Sequence, residues 1–367
     1  MRSTQRRVGV VVVAAGLAAV LAGCSSSGGG SGASASASGS GSSSGGDKVT
    51  TLRLGFFPNL THAPALIGLQ EGLFKKALKP LTVTVTPTAF NAGPDAITAL
   101  FAGSLDITYI GPNPTINAYV QSQGQAVRVI AGAATAGAAL VVRPTIASPA
   151  DLKGKTLATP QLGNTQDVAL RYWLKQQGLT TTTEGGGDVS IKPQSNAEGL
   201  AAYASGSVDG AWVPQPWVAE YVKAGAKVLV DEKTLWPGGK FVTTNILVRT
   251  EFLQQHPDVV EAFLAGHLAA LEEITKDPKA AQTAVNASLQ ALTGNSMEAE
   301  VLTAAWADVS FTYDPLRATL EESAKHAIDV GLLDQGEIDS AGGLGGLYDL
   351  APLNAALKVA GLPAVAS

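Results

Sequence analysis

TLRLGFFPNLTHAPALIGLQEGLF, residues 51–74, decides the fold. Leu52, Leu54 and Phe56 alternate with other residues at the period of a β-strand. Pro58-Asn59 break that pattern, Thr61 and His62 follow, and from Ala63 to Phe74 the apolar residues recur at helical spacing. A strand that feeds a helix through a short polar turn sets a helix N-terminus at the carboxyl end of the strand. Open α/β sheets bind ligands there, because unpaired N–H groups and the positive end of the helix dipole face an acceptor. The turn reads as one wall of a small-molecule cleft.

Working outward, the same unit recurs. Leu81 to Thr86 alternates as a strand and leads to Phe90-Asn91-Ala92-Gly93 and a helix; Leu105 to Ile110 leads to Gly111-Pro112-Asn113-Pro114 and another; Val127 to Ala133 is a further strand. A second set begins at Ala139 to Val142. It continues through Thr156 to Thr159, the turn Gln161 to Asp167 with its helix, strands near Val189 to Ile191 and Val208 to Val213, and Lys227 to Val230. Strands alternating with helices predict a mostly parallel sheet with right-handed crossovers. After the apolar strand Phe241 to Val248, residues 251–330 carry helical patterns, with Pro257, Pro278 and Pro315 at first turns. The folded body shows no repeat of fixed period.

The ends behave differently. Arg2, Arg6 and Arg7 precede the apolar run Val8 to Leu21, which is too short for a good membrane span and has the form of an export signal. Leu21-Ala22-Gly23-Cys24 resembles the bacterial lipobox, which implies cleavage before Cys24 and a lipid on its thiol. Cys24 is the single cysteine of the 367 residues, so an internal disulfide is excluded. From Ser25 to Gly46 the chain is almost wholly Ser, Gly and Ala, a flexible tether of roughly 25 Å mean reach. Without the three signal-segment arginines the balance is 22 basic against 30 acidic side chains, a formal charge of −8. An acidic body argues against nucleic acid and against electrostatic adhesion to anionic lipid.

Leu54 to Leu66, with Glu71-Gly72-Leu73-Phe74 one helix later, resembles the opening of solute-binding proteins of ABC importers of the nitrate/sulfonate/taurine type, the alkanesulfonate-binding-like receptors. Ala102-Gly103-Ser104-Leu105-Asp106-Ile107, Asp151-Leu152-Lys153-Gly154-Lys155 and Ala211-Trp212-Val213-Pro214-Gln215-Pro216-Trp217 resemble later segments of that family in the same order. The resemblance implies an α/β, two-lobed, type II periplasmic-binding-protein-like clamshell, each lobe a mixed, mostly parallel sheet flanked by helices, with a helical C-terminal part. The expected organisation is signal 1–23, lipidated Cys24 and tether 24–47, first lobe 48–137 and 251–367, and second lobe 138–250. The lobes close on a ligand by hinge motion. The implied partners are a small, sulfonate-like organic anion, an ABC permease with its ATPase subunit, and the bilayer through acylated Cys24; a monomer on the extracytoplasmic face, with no cofactor, is expected.

The candidate ligand groups lie at the strand ends. Asn59, Thr61 and His62 offer donors beside the helix from Ala63; Thr61 also reads as an ordinary helix cap. Asn91 and Gly93, and Gly111 and Asn113, open later helices as an anion-binding nest or as plain turn chemistry. Gly163, Asn164 and Thr165 form the matching turn of the second lobe, with Asn164 or Thr165 as N-cap. Trp212, Gln215 and Trp217 sit at a strand end beside two prolines, where a tryptophan packs either the apolar part of a ligand or the core between the lobes. Thr243, Thr244 and Asn245 lie on the return strand. His256, His267 and His326 fall on the helical part as surface or packing residues, and no histidine pair has metal-ligand spacing. Arg53, Arg128, Arg143 and Arg249 lie in strands or at their ends, so no forked charge clamp stands in these turns. That favours backbone and amide recognition of a sulfonate or a neutral heterocycle. Nitrate or a pyrimidine-like thiamine precursor is the alternative ligand. An enzyme on this fold, such as a pyrimidine synthase resembling these receptors, would carry a cysteine-rich segment, which the folded body lacks, as it lacks a G-x-S-x-G elbow. A cell-surface adhesion lipoprotein is the third class, which a pocket too small for any ligand would support.

Overall fold

The computed structural model describes residues 49–366. The signal, Cys24 and the tether therefore lie outside the described residues. Eleven strands build two sheets: β1 Thr51–Phe56, β2 Thr84–Ala89, β3 Ile107–Ile110, β4 Val127–Ala136, β5 Ala138–Val142, β6 Thr156–Thr159, β7 Ser190–Pro193, β8 Gly210–Pro214, β9 Lys227–Asp231, β10 Val242–Arg249 and β11 Val309–Phe311. The first sheet has the order β11-β4-β10-β3-β1-β2 and the second β7-β6-β8-β5-β9.

Pairing is parallel within β2-β1-β3 and within β7-β6-β8, and antiparallel elsewhere. The sheets are thus mixed, and parallel only where a helix links successive strands. The chain passes between lobes at Gly137 and again between β9 and β10, so β5 and β10 enter their sheets reversed. β10 belongs to the first sheet, between β3 and β4, and not to the second lobe as the expected boundary at residue 250 had it. An apolar run is compatible with either sheet, and only the ladder chooses. β2 also starts later than alternation predicts. Lys79–Leu81 form a 3-10 turn and Thr82 takes a left-handed φ of 61°, and the strand then runs on through Pro87, which a sheet edge tolerates.

Each parallel triplet is locked by one aspartate. Asp106 is fully buried and accepts from the Arg53 backbone N–H and Nε, both at 2.9 Å, and from both Arg53 and Arg249 guanidinium nitrogens. In the second lobe Asp209 accepts from the Thr156 backbone N–H at 3.0 Å. The residues before them, Gly103-Ser104-Leu105 and Gly206-Ser207-Val208, match, and both glycines take left-handed φ. The lobes are two copies of one βαβαβ plan, a duplication that a search for fixed-period repeats passes over.

The first core lies between its sheet and the C-terminal helices. Leu52, Leu54 and Phe56 meet Phe263 and Leu264 of the helix Pro257–Lys276, and Phe74 stacks on Phe263 at 4.9 Å. Gly68 makes this possible, because a Cβ there would come within 2.4 Å of the Phe74 ring. The helix Pro257–Lys276 of the C-terminal part thus belongs to the first core. The second core is built on Leu140, Leu157, Leu170, Trp173 and Trp212.

Candidate ligand-binding site

Six helices begin at the carboxyl ends of parallel strands, three per lobe: Ala63–Gln70, Gly93–Phe101 and Pro112–Gln121, then Thr165–Gln176, Asn196–Ser205 and Trp217–Lys223. Their turns meet across the interlobe cleft. Leu60 N–H donates to Gln215 O at 3.0 Å, Trp217 Nε1 to Asn59 Oδ1 at 3.0 Å, Gln215 Nε2 to Asp308 Oδ2 at 2.9 Å and Gln161 Nε2 to Asp95 Oδ1 at 3.1 Å. These bonds join the lobes directly, so the conformation is closed.

At the centre is a niche of about 20 Å³ lined by Phe57, Asn59, Thr61, His62, Asn91, Gly111, Pro160, Asn164, Thr165, Gln166, Asn196, Pro214 and Thr243. It has room for about one water. No charged side chain lines it among the described residues. Beside it, sharing Asn59, Asn91 and Asn196 as walls, lies a basin of about 530 Å³, within the range of small-molecule pockets.

The niche is built from donors. His62 is 2% exposed, and its Nδ1 accepts from the Phe57 N–H at 3.2 Å, so the proton of the neutral ring sits on Nε2 and is free to donate. Burial holds the imidazole neutral by pushing its pKa down to about 3. Asn164 caps the second-lobe helix, accepting from Gln166 N–H at 3.1 Å, which places Thr165 at its first turn. The Thr165 hydroxyl is buried with no hydrogen-bond partner among the described residues, and so is Asn196 Oδ1. Buried polar atoms without partners cost about 1–3 kcal/mol each, and a ligand oxygen or donor would relieve them. Behind this turn Asp167 accepts from Thr159 Oγ1 at 2.9 Å, Gly163 N–H at 3.0 Å and Arg171 Nε at 3.0 Å. The turn is therefore rigid.

Eight residues singled out from sequence reach the niche: Asn59, Thr61, His62, Asn91, Gly111, Asn164, Thr165 and, from the return strand, Thr243. Thr61 makes no capping bond; the cap position before Ala63 is His62, without a side-chain bond. The others lie elsewhere. Asn113 turns into the first lobe, donating to Ser323 O at 3.1 Å, and Gly93 packs on Pro114, where a Cβ would come within 2.2 Å. Gly163 supports the turn through Asp167. Trp212 is fully buried in the second-lobe core, its Nε1 bonded to Glu232 Oε2 at 2.6 Å, so it packs core and not ligand. Gln215 is spent on interlobe bonds, Trp217 lines the basin, and Asn245 lies behind Thr115, whose hydroxyl donates to its Oδ1 at 3.1 Å. His267 is a packing residue, 2.9 Å from the Tyr109 hydroxyl and 3.0 Å from Gly132 O. Asn196 was missed, although Ser195 and Glu198 form a capping box at the end of β7 that marks a helix start of the same kind. Among the described residues no group of three His, Cys, Asp or Glu side chains could hold a metal.

The two lobes, their crossed connections and the strand-end niche define a periplasmic-binding-protein-like fold. The structure superposes on the alkanesulfonate-binding protein SsuA from Xanthomonas axonopodis pv. citri, bound to MOPS, with a TM-score of 0.65 at 21% identity, covering 78% of this chain and 96% of that one. On the periplasmic nitrate-binding protein NrtA from Synechocystis PCC 6803 it reaches 0.69 at 16% identity, covering 86% and 90%. Residues 45–289 match the NMT1-like family, and the chain belongs to it. It is 30% identical over 218 residues to the taurine-binding periplasmic protein of Escherichia coli K12, covering 59% of this chain and 64% of that protein. It is 27% identical over 248 residues to the nitrate/nitrite binding protein NrtA of a Nostoc species, covering 61% and 53%. The matched stretches thus span less than two thirds of these curated relatives.

Proposed function

We propose that this chain is the extracytoplasmic receptor of an ABC importer, capturing a small organic oxyanion of the aliphatic sulfonate or taurine kind and delivering it to a permease without chemistry of its own. The observation that carries the reading is the uncharged niche into which helix N-termini from both lobes, the His62 ring and the unpartnered Thr165 hydroxyl converge. A sulfonate spreads one charge over three oxygens, so several neutral donors and helix dipoles suit it without a full counter-charge. The relative named for taurine binding supports the same ligand class, and the one named for nitrate/nitrite binding supports the alternative of nitrate. Cys24, acylated, would hold the body near the membrane through the Ser/Gly tether, as a monomer. Titration calorimetry of the purified protein with taurine, short alkanesulfonates, nitrate and pyrimidines is expected to show saturable binding to a sulfonate. Flat traces from folded protein across the panel would sink the reading. Replacing Cys24 with Ser is expected to move the protein from the membrane fraction to the soluble one.

A further inference from the structure

We propose that the protein has a second small-molecule site, an aromatic cage beside the connection from β9 to β10, which takes a methylated ammonium cation and favours the closed lobes when filled.

The site is a cavity of about 580 Å³, within the range of small-molecule pockets, and it shares no wall with the niche or the basin. Four aromatic rings line it: Tyr172 and Trp173 from the helix Thr165–Gln176, Trp236 from the connection, and His326 from the helix Arg317–Asp329. Tyr172 and His326 stack at 3.7 Å, while Trp236 lies 5.2 Å from His326 and stacks on Phe241 at 5.5 Å. The carboxylates of the wall are Glu232 and Glu322, and no Lys or Arg lines it among the described residues.

Glu232 is the group that lacks a counter-charge. It is 2% exposed, and its partners are neutral indoles: Trp212 Nε1 donates at 2.6 Å, and the Trp236 side chain lies beside it. Glu322, by contrast, is engaged by Lys325 at 2.7 Å. Burial raises the Glu232 pKa to about 7, as befits a carboxyl with no cation beside it. The His326 imidazole, its pKa lowered by burial, adds no positive charge at neutral pH. A cation in the cavity would meet the negative faces of the rings and the buried carboxylate together. A hard metal ion needs several oxygen ligands, and among the described residues no group of three His, Cys, Asp or Glu side chains could hold one. A methylated ammonium is a cation that aromatic faces accept readily. A neutral body would leave Glu232 uncompensated, and an anion would be repelled.

The cage is whole only when the lobes are closed. Tyr172 and Trp173 belong to the second lobe and Glu322 and His326 to the first, and Lys175 Nζ of the one helix donates to Asp329 O of the other. Opening would part the Tyr172–His326 stack. A ligand that binds the closed arrangement better shifts the population toward it.

Calorimetry with choline and its uncharged isostere 3,3-dimethylbutan-1-ol tests this on the wild-type protein, Glu232→Gln and Trp236→Leu. In the wild type choline is expected to bind saturably and about tenfold or more tighter than the alcohol. Glu232→Gln keeps an acceptor for Trp212 Nε1 and should weaken choline about tenfold while leaving the alcohol unchanged. Trp236→Leu should weaken choline by a similar factor. In solution scattering, saturating choline should lower the radius of gyration of the wild type and not that of Trp236→Leu. Absence of choline binding, equal affinities for choline and the alcohol, or choline binding that both variants leave intact would overturn the cation site. An unchanged radius with choline bound would overturn its link to closure. The receptor reading stands or falls separately, on the sulfonate titrations.

Discussion

Mild acid should destabilise this protein through imidazoles buried in a dry interior, and His62 offers the clean test. Burial lowers its pKa to about 3 in the fold, against about 6.5 in an unfolded chain. Between these values the unfolded chain binds a proton that the folded one refuses. The stability linked to His62 is therefore complete above pH 6.5 and is lost as pH falls toward 3, at about 1.4 kcal/mol per pH unit. From pH 6.5 to 5 that is about 2 kcal/mol. His267, lowered by burial to about 4, adds the same slope in the same direction. His326, lowered by partial burial, also acts in that direction. Glu232 opposes them. Burial raises its pKa to about 7, so the folded state keeps a proton that the unfolded carboxyl releases above about 4.5, and acidification from pH 7 stabilises it. The wild-type slope is thus a sum of opposing parts, and a single variant isolates one of them. His62→Asn keeps an acceptor for the Phe57 N–H and removes the titration. Urea unfolding at pH 6.5, 5.75 and 5 is expected to show the wild type losing about 2 kcal/mol relative to His62→Asn over that range. Parallel curves would mean that His62 accepts its proton as readily folded as unfolded, and that the turn after β1 is wet.

Three further outcomes follow from the packing. Thr165→Val removes a hydroxyl that has no partner among the described residues, so unliganded stability should stay within about 0.5 kcal/mol, while sulfonate affinity falls about tenfold, the loss of one hydrogen bond to a charged group; equal affinity would detach Thr165 from the ligand. Gly111→Ala suits the local backbone, φ −76°, but its Cβ would come within 2.3 Å of Thr165 Oγ1 across the cleft. It should therefore leave the melting temperature of the unliganded protein nearly unchanged and impede closure, read as weakened binding and a larger radius of gyration in solution scattering with ligand. Asp167→Asn strips the partner from Arg171, which is 1% exposed and bonded at 3.0 Å, and should cost about 3–5 kcal/mol in denaturant unfolding.

Local pattern alone determined the α/β alternation, the strand-turn-helix units after β1 and β6, and the helix starts at Pro257 and Pro278, because alternation, helical spacing and prolines act over a few residues. It also located half of the niche, since polar turns at strand ends are visible wherever the strands are. Tertiary structure decided what depends on partners far along the chain. β10 joins the first sheet because its ladder pairs it with β3 and β4, which no apolar run announces. Trp212 and Trp217 lie five residues apart on one strand-helix turn, yet one is core and the other lines the cleft, since Glu232 claims the first indole and Asn59 the second. Asn196 became part of the site only when β7 was laid beside β6 and its helix start was carried to the cleft. The stretch 51–74 thus supplies a wall by itself, but a niche requires two walls, and their meeting is set by hydrogen bonds such as that between Leu60 and Gln215, 155 residues apart.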